Sequence, residues 1–193
     1  MNHVDHANWK KSLPMWLTWS RIALCLPILI ILEWMDRPLA GYVAAALFII
    51  ASITDWADGY TARRFHAQST MGKFMDPIAD KILVSTILIL LIPLGTLGKE
   101  GPILVILLLA RDILIGGIRS VAAADRLIID AKAAGKWKTG IQMIGIPCVL
   151  IGEPLFGLPI VELGRVSLWA SVILSMFSGW QYIALYRASR KAA

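Results

Sequence analysis

Long apolar segments alternate with short polar connections along the whole chain. Six segments approach the roughly 20 apolar residues that a membrane-spanning helix needs. They are Trp16–Trp34, Leu39–Thr54, Ile82–Leu97, Pro102–Ile118, Gly140–Leu158 and Val166–Leu185. Several reach that length only with their polar ends. The pattern predicts an all-α integral membrane protein with six transmembrane helices. These helices would form a single membrane domain over residues 1–193. That domain includes a polar N-terminal juxtamembrane segment, 1–13.

Composition agrees with a protein whose solvent is partly lipid. Hydrophobic residues make up 58% of the 193 residues, compared with roughly 45–50% in ordinary soluble domains. The net charge of +6 would suit nucleic-acid binding, but the basic residues lie between apolar segments rather than on one helix face. We therefore expect no nucleic-acid partner. Cys25 and Cys148 both lie in apolar segments without metal-binding spacing, so neither a disulfide framework nor a zinc site is predicted.

Lysine and arginine are distributed unevenly between the two sets of connections. One set contains most of them, including Lys73 and Arg126, whereas the alternate connections contain only Arg37, Lys99 and Arg165. Cytoplasmic loops of membrane proteins are enriched in these residues. The distribution therefore places both termini in the cytoplasm.

Four aspartates are concentrated between the second and third predicted spans. Asp55, Asp58, Asp76 and Asp80 belong to the pattern D-x2-D-G-x2-A-R-x8-G-x3-D-x3-D. If the second helix continues through the first half of this pattern, its two aspartates lie at i and i+3 on one face. The last two, at i and i+4, also share a face. Pro77 is compatible with a helix that starts beside it or with a kinked helix.

Four carboxylates at the cytoplasmic ends of two membrane helices repel one another, so a divalent cation is their natural partner. Ligand sets made only of oxygen favour Mg²⁺ or Mn²⁺ over zinc. Gly59, Ala62 and Gly72 leave room for a nucleotide near the backbone, and Arg63 presents a planar fork to a pyrophosphate oxygen. The pattern of residues over 55–80 therefore predicts a catalytic site that binds a metal ion and phosphate. The alternative is a solvated acidic loop with helix caps.

The pattern resembles the signature of the CDP-alcohol phosphotransferase family. All eight fixed positions are present, as Asp55, Asp58, Gly59, Ala62, Arg63, Gly72, Asp76 and Asp80. The six-helix layout is similar to that family over nearly the whole chain. The resemblance implies the CDP-alcohol phosphotransferase fold, a homodimer, contact with membrane lipids, and a site open to the cytoplasmic leaflet of the bacterial inner membrane.

The resemblance also implies roles for individual residues. Asp55, Asp58 and Asp76 would bind the metal ion, Mg²⁺ or Mn²⁺. Asp80 would complete the metal set and act as the general base. The CDP part of CDP-diacylglycerol would be held by Asp58, Gly59, Ala62, Arg63, Thr70 and Gly72.

Three further segments are similar to elements of the bacterial phosphatidylglycerophosphate synthases within that family. They are the stretch L-P-M-W-L-T-W-S-R at 13–21, the Arg111-Asp112 pair with Arg119, and G-K-W-K-T followed by Q-M at 135–143. The resemblance favours transfer of the phosphatidyl group to glycerol 3-phosphate. Acceptors left open are inositol phosphate, serine and phosphatidylglycerol.

Basic residues near the fourth and fifth spans agree with a phosphate-bearing acceptor. Arg111 and Arg119 lie two turns apart on one helix face, and Lys136 and Lys138 enter the fifth span from the same side. Arginine inside a membrane is costly and usually functional. The alternatives are an ion pair with Asp112 for the first arginine and a purely topological signal for the two lysines. Rivals of another class are a cation transporter and an inert scaffold.

Overall fold

The computed structural model describes residues 23–64, 81–125 and 133–192, and this part of the chain is all-α. Its helices are α1 (Ala23–Trp34), α2 (Leu39–Arg64), α3 (Lys81–Leu90), α4 (Gly101–Ala124), α5 (Ala133–Ile151) and α6 (Ile160–Ala192). Within the same residues, β-pairing is confined to one bridge between Leu155 and Leu158. The predicted all-α class is confirmed.

Two of these helices are long and apolar enough to cross a membrane by length and composition. They are Gly101–Ala122 within α4 and Ile160–Arg190 within α6. The apolar parts of the other four described helices span 10–17 residues each. Large side chains on both long helices are exposed, for example Ile113 and Ile173. Continuous exposed apolar surface of this kind needs lipid or protein to cover it, so these helices indicate a membrane protein.

The third predicted span is shorter than expected. Its window reached Leu97, but α3 ends at Leu90 and the following residues form turns. Pro93 lacks the backbone N–H that a continuing helix needs. Gly95 adopts a left-handed φ of 70°, which directs the chain away from the helix axis.

The connection between the fifth and sixth spans also differs from the prediction. The fifth window continued to Leu158, whereas α5 ends at Ile151, directly before Gly152 with φ of 78°. A left-handed residue after the last helical position is a common helix terminator. By contrast, α6 extends well beyond the predicted Val166–Leu185 window at both ends.

The described chain packs as two compact units. The first is drawn from Met1–Leu90 and Leu150–Gly152, and the second from Leu91–Val149 and Glu153–Ala193. The core of the first unit includes Phe48 of α2 and Leu88 of α3, both fully buried.

In the second unit, α4 and α6 run parallel and α5 runs antiparallel to α6. Arg111 of α4 reaches Ser175, and Arg119, two turns later, lies over Tyr182. Contacts between these two helices therefore advance in the same direction along both chains. Ser171 donates to the Lys138 carbonyl of α5 at 3.5 Å. This packing brings polar residues of three helices into one core.

Candidate active site

The second helix continues through the first half of the aspartate motif. Helix α2 runs without a break to Arg64 and contains Asp55, Asp58, Gly59, Ala62 and Arg63. The prediction that Asp55 and Asp58 share a helix face required the second helix to continue through the motif. The backbone of α2 confirms that it does. Positions 55 and 58 lie three residues apart on one helix and fall on neighbouring turns of the same face.

Hydroxyl groups just before the motif are satisfied within α2. Ser52 donates to the carbonyl of Phe48, and Thr54 donates to that of Ile50, each at 2.8 Å. These bonds to the residue four positions earlier let small polar side chains occur in an apolar helix without unpaired hydroxyls. The helix therefore reaches the motif intact.

The second half of the motif lies outside the described residues. Thr70, Gly72, Asp76 and Asp80 belong to this part, as does the choice between a helix start and a kink at Pro77. The metal-binding and base roles therefore stay predictions. Among the side chains that are described, no group of three or more acids, histidines and cysteines could hold a metal ion.

Arg111 connects α4 to α6. Its Nε donates to the carbonyl of Ser175 at 2.9 Å, and its Nη2 donates to Oγ of Ser178 at 2.6 Å. Its Nη1 forms an ion pair with Asp112 Oδ1 at 2.9 Å. Gly179 leaves space for the guanidinium, since a Cβ there would lie 3.4 Å from Nε. The alternative predicted for this arginine, an ion pair with its neighbour, is confirmed.

Lys138 of α5 binds the same carboxylate. Its Nζ donates to both Asp112 oxygens, at 2.6 Å to Oδ2. Lys138 is only 5% exposed, and a lysine so buried needs a charged or hydrogen-bonded partner. Asp112 thus pairs with two cations, and the three side chains together carry one net positive charge. We call Arg111, Asp112 and Lys138 the charged trio.

Arg119 lies two turns beyond the trio on α4. Its guanidinium carbon is 5.6 Å from the ring centroid of the buried Tyr182, a cation–π contact with α6. Within the described residues it forms no ion pair with a carboxylate. Lys136 is placed in α5 by its backbone. Three of the four predicted acceptor residues therefore have described side chains, and all three belong to the second unit.

A row of serines on α6 completes this polar core. Ser171, Ser175 and Ser178 are all buried. Their spacing of four and three residues places them on one helix face. Sequence reasoning overlooked them, although the i, i+4, i+7 spacing within an apolar span was a usable signal. The buried amide nitrogen of Gln142 on α5 has no hydrogen-bond partner among the described atoms.

The long apolar helices α4 and α6, together with an α2 whose end carries the aspartate motif, define an all-α membrane protein. The chain belongs to the CDP-alcohol phosphatidyltransferase family, which matches residues 11–177.

Two bacterial relatives are matched over nearly their whole length. A protein of Rickettsia bellii is 35% identical over 94% of this chain and 97% of its own length. A protein of Bacillus subtilis is 36% identical over 90% of this chain and 94% of its own length. Both are named CDP-diacylglycerol--glycerol-3-phosphate 3-phosphatidyltransferase. A cardiolipin synthase (CMP-forming) of Oryza sativa is 37% identical over 72% of this chain and 45% of its own length.

Proposed function

We propose that this chain transfers a phosphatidyl group from CDP-diacylglycerol to sn-glycerol 3-phosphate, giving phosphatidylglycerophosphate and CMP. The observation that carries this conclusion is the match to the Rickettsia and Bacillus proteins, which are named for the reaction. The match covers at least nine-tenths of the chain in both cases. The reaction is a step of phospholipid biosynthesis.

A divalent cation fits the aspartate motif. The family generally depends on such a metal, and we propose Mg²⁺, with Mn²⁺ as a substitute, bound by Asp55, Asp58, Asp76 and Asp80. The continuous α2 supports this assignment because it places the first two aspartate positions on one helix face. A bound cation supplies positive charge that offsets the pyrophosphate and the departing CMP.

The remaining chemistry is assigned to residues of the chain. Asp80 accepts the proton of the glycerol 3-phosphate hydroxyl as that oxygen attacks the phosphorus bearing diacylglycerol. The bond from this phosphorus to the CMP oxygen breaks in the same displacement. Arg63 donates to the pyrophosphate, while Gly59 and Gly72 keep the backbone open to the nucleotide.

The acceptor phosphate is assigned to the basic residues of the second unit. Arg119 supports this assignment because its charge has no carboxylate partner among the described residues. Arg111 is already committed to Asp112 and α6, so we assign it to holding the site rather than to most of the phosphate affinity. Lys138 is likewise committed to Asp112, so we assign it to holding the site, while Lys136, within one turn of it on α5, would add further positive charge.

The membrane arrangement is also proposed. The shorter apolar helices would complete their spans with neighbouring residues, giving six transmembrane helices in a single domain. The protein would lie in the bacterial inner membrane with both termini in the cytoplasm, as a homodimer. The uneven lysine and arginine distribution supports this orientation.

An acceptor screen tests the proposed function. Purified protein is given labelled CDP-diacylglycerol, Mg²⁺ and one acceptor at a time: glycerol 3-phosphate, inositol phosphate, serine or phosphatidylglycerol. We expect CMP release to be fastest with glycerol 3-phosphate. Preference for phosphatidylglycerol would instead favour the chemistry named for the Oryza relative. Absence of CMP release with every acceptor would favour a transporter or scaffold.

Arg119→Ala locates the acceptor site. Loss of a charge-assisted bond to a phosphate should lower kcat/KM for glycerol 3-phosphate about 30-fold or more. The effect should appear in the KM for this acceptor and not in the KM for CDP-diacylglycerol. Arg187→Ala removes another exposed arginine, on α6, and serves as the matched control. Equal KM values in the two variants would exclude Arg119 from the site.

A further inference from the structure

The connection between α5 and α6 carries the most exposed large apolar side chain of the described residues. Phe156 is 94% exposed. Leu155 and Leu158 exchange two backbone hydrogen bonds, of 3.2 and 2.9 Å. These bonds close a two-residue turn whose central residues are Phe156 and Gly157. This turn holds the Phe156 ring away from the rest of the second unit.

The backbone of this turn is unfavourable for phenylalanine. Both central residues have positive φ, 51° at Phe156 and 77° at Gly157. Turns of this kind favour Asn-Gly, because glycine and asparagine tolerate the left-handed region and bulky residues do not. Phe156 therefore combines a strained backbone with an apolar side chain outside the protein. Such strain often marks a position with a role of its own.

The turn is continuous with the apolar surface of a membrane-length helix. Helix α6 begins at Ile160, and its exposed face carries Leu163, Val166 and Ile173. Because α6 is long enough to cross a membrane by length and composition, its first turn would lie near a membrane surface. Leu158, which is 58% exposed, joins this face to the tip of the turn. The exposed apolar surface of α6 therefore continues through Leu158 to Phe156.

We propose that the turn Leu155–Leu158 is a membrane-surface anchor whose Phe156 ring inserts between lipid headgroups and the upper acyl chains. Aromatic and aliphatic side chains at this boundary typically lie about 5–10 Å into the headgroup–acyl region. The contact is apolar, so it should not depend on lipid charge. This inference concerns attachment to the bilayer and is independent of the acceptor that the enzyme uses.

Site-directed fluorescence in lipid nanodiscs tests the anchor. Phe156→Cys is made in the full chain with Cys25 and Cys148 replaced by alanine, labelled with bimane, and placed at one copy per disc in zwitterionic lipid. We expect quenching by a spin label on the upper acyl chain and little quenching by aqueous iodide. Lys99→Cys, at an exposed polar site of the α3–α4 connection, should show the reverse.

Leu158→Cys is the second reporter because it keeps the Phe156 ring in place. It should also be quenched from the lipid, and adding anionic lipid should leave both signals unchanged. Iodide quenching at positions 156 and 158 equal to that at position 99 would overturn the proposal. Protection from iodide found only in discs with two copies would assign the turn to a contact between copies instead.

Discussion

Asp112 is the residue on which the charged trio depends. Its carboxylate receives hydrogen bonds from Arg111 on its own helix and from Lys138 on α5. The arginine in turn holds α6 through Ser175 and Ser178. One carboxylate therefore links three helices, and its charge compensates a lysine that is almost wholly buried.

Asp112→Asn should destabilise the protein. Removing one partner of a buried ion pair costs about 3–5 kcal/mol, and because Asp112 is partly exposed we expect about 3 kcal/mol. The loss of stability is measured by unfolding the detergent-solubilised protein with denaturant or heat. The control is Asp112→Asn combined with Lys138→Met, which leaves no uncompensated lysine and should recover most of the stability. A single variant as stable as the wild type would show that the pair contributes little.

The aspartate motif gives a second prediction at the residue scale. Asp55→Asn, Asp58→Asn and Asp76→Asn should each nearly abolish turnover, because each removes charge needed to hold the metal at the transition state. Asp80→Asn should lower kcat by about 10²–10⁴ while CDP-diacylglycerol still binds. Asp125→Asn, at an exposed aspartate after α4, is the control. Near-normal rates of the motif variants at saturating Mg²⁺ would contradict the assignment.

Contact between helices α5 and α6 depends on two glycines at their crossing. Gly145 and Gly164 face each other so closely that a Cβ on Gly164 would lie 2.9 Å from the Gly145 carbonyl oxygen. The same Cβ would lie 2.7 Å from a methyl carbon of Val149. Small residues at such crossings let membrane helices approach at backbone distance.

Gly164→Ala should therefore destabilise the helix pair. Overpacking against backbone typically costs about 1–3 kcal/mol, which outweighs the gain of up to about 1 kcal/mol in helix propensity. Gly140→Ala on α5 is the matched control, since its Cβ would meet nothing within 4 Å. Thermal unfolding of both variants decides the point. Equal or higher stability of Gly164→Ala would mean that the helices can separate without loss.

At the scale of the helices, the periodicity and length of the apolar segments predicted which helices exist, but they did not predict where those helices end. The apolar windows located all six described helices, because lipid-facing and core residues are both apolar. The ends at Leu90 and Ile151 depend on single residues, Pro93 beyond the first and Gly152 after the second, inside otherwise apolar stretches. A hydropathy window averages over such residues and continues past them.

The site was predictable where its chemistry is local in sequence. The aspartate motif and the adjacent Arg111-Asp112 pair are contained in short segments. The bond from Lys138 to Asp112 joins residues 26 positions apart, and it forms only because the fold brings this part of α5 within reach of α4. Pairing of helices across a core is not encoded in any one segment, so this part of the site required the structure.

The molecule as a whole should have a definite orientation in the membrane. Basic residues dominate the connections that contain Lys73 and Arg126, whereas the alternate connections carry Glu100 and Glu162. Short loops rich in lysine and arginine are poorly translocated across the membrane. The basic connections should therefore remain in the cytoplasm. This orientation would bring the aspartate motif to the side that holds soluble glycerol 3-phosphate.

Cysteine accessibility in intact cells measures this orientation. In a background without Cys25 and Cys148, single cysteines at Lys73 or Arg126 should be shielded from a membrane-impermeant reagent, and those at Glu100 or Glu162 should be labelled. Tags at Met1 and Ala193 should likewise be protected until the cells are permeabilised, which is the control for reagent access. Labelling at position 73 in intact cells would invert the orientation and place the aspartate motif away from its cytosolic acceptor, because a charged glycerol 3-phosphate does not cross the bilayer unaided.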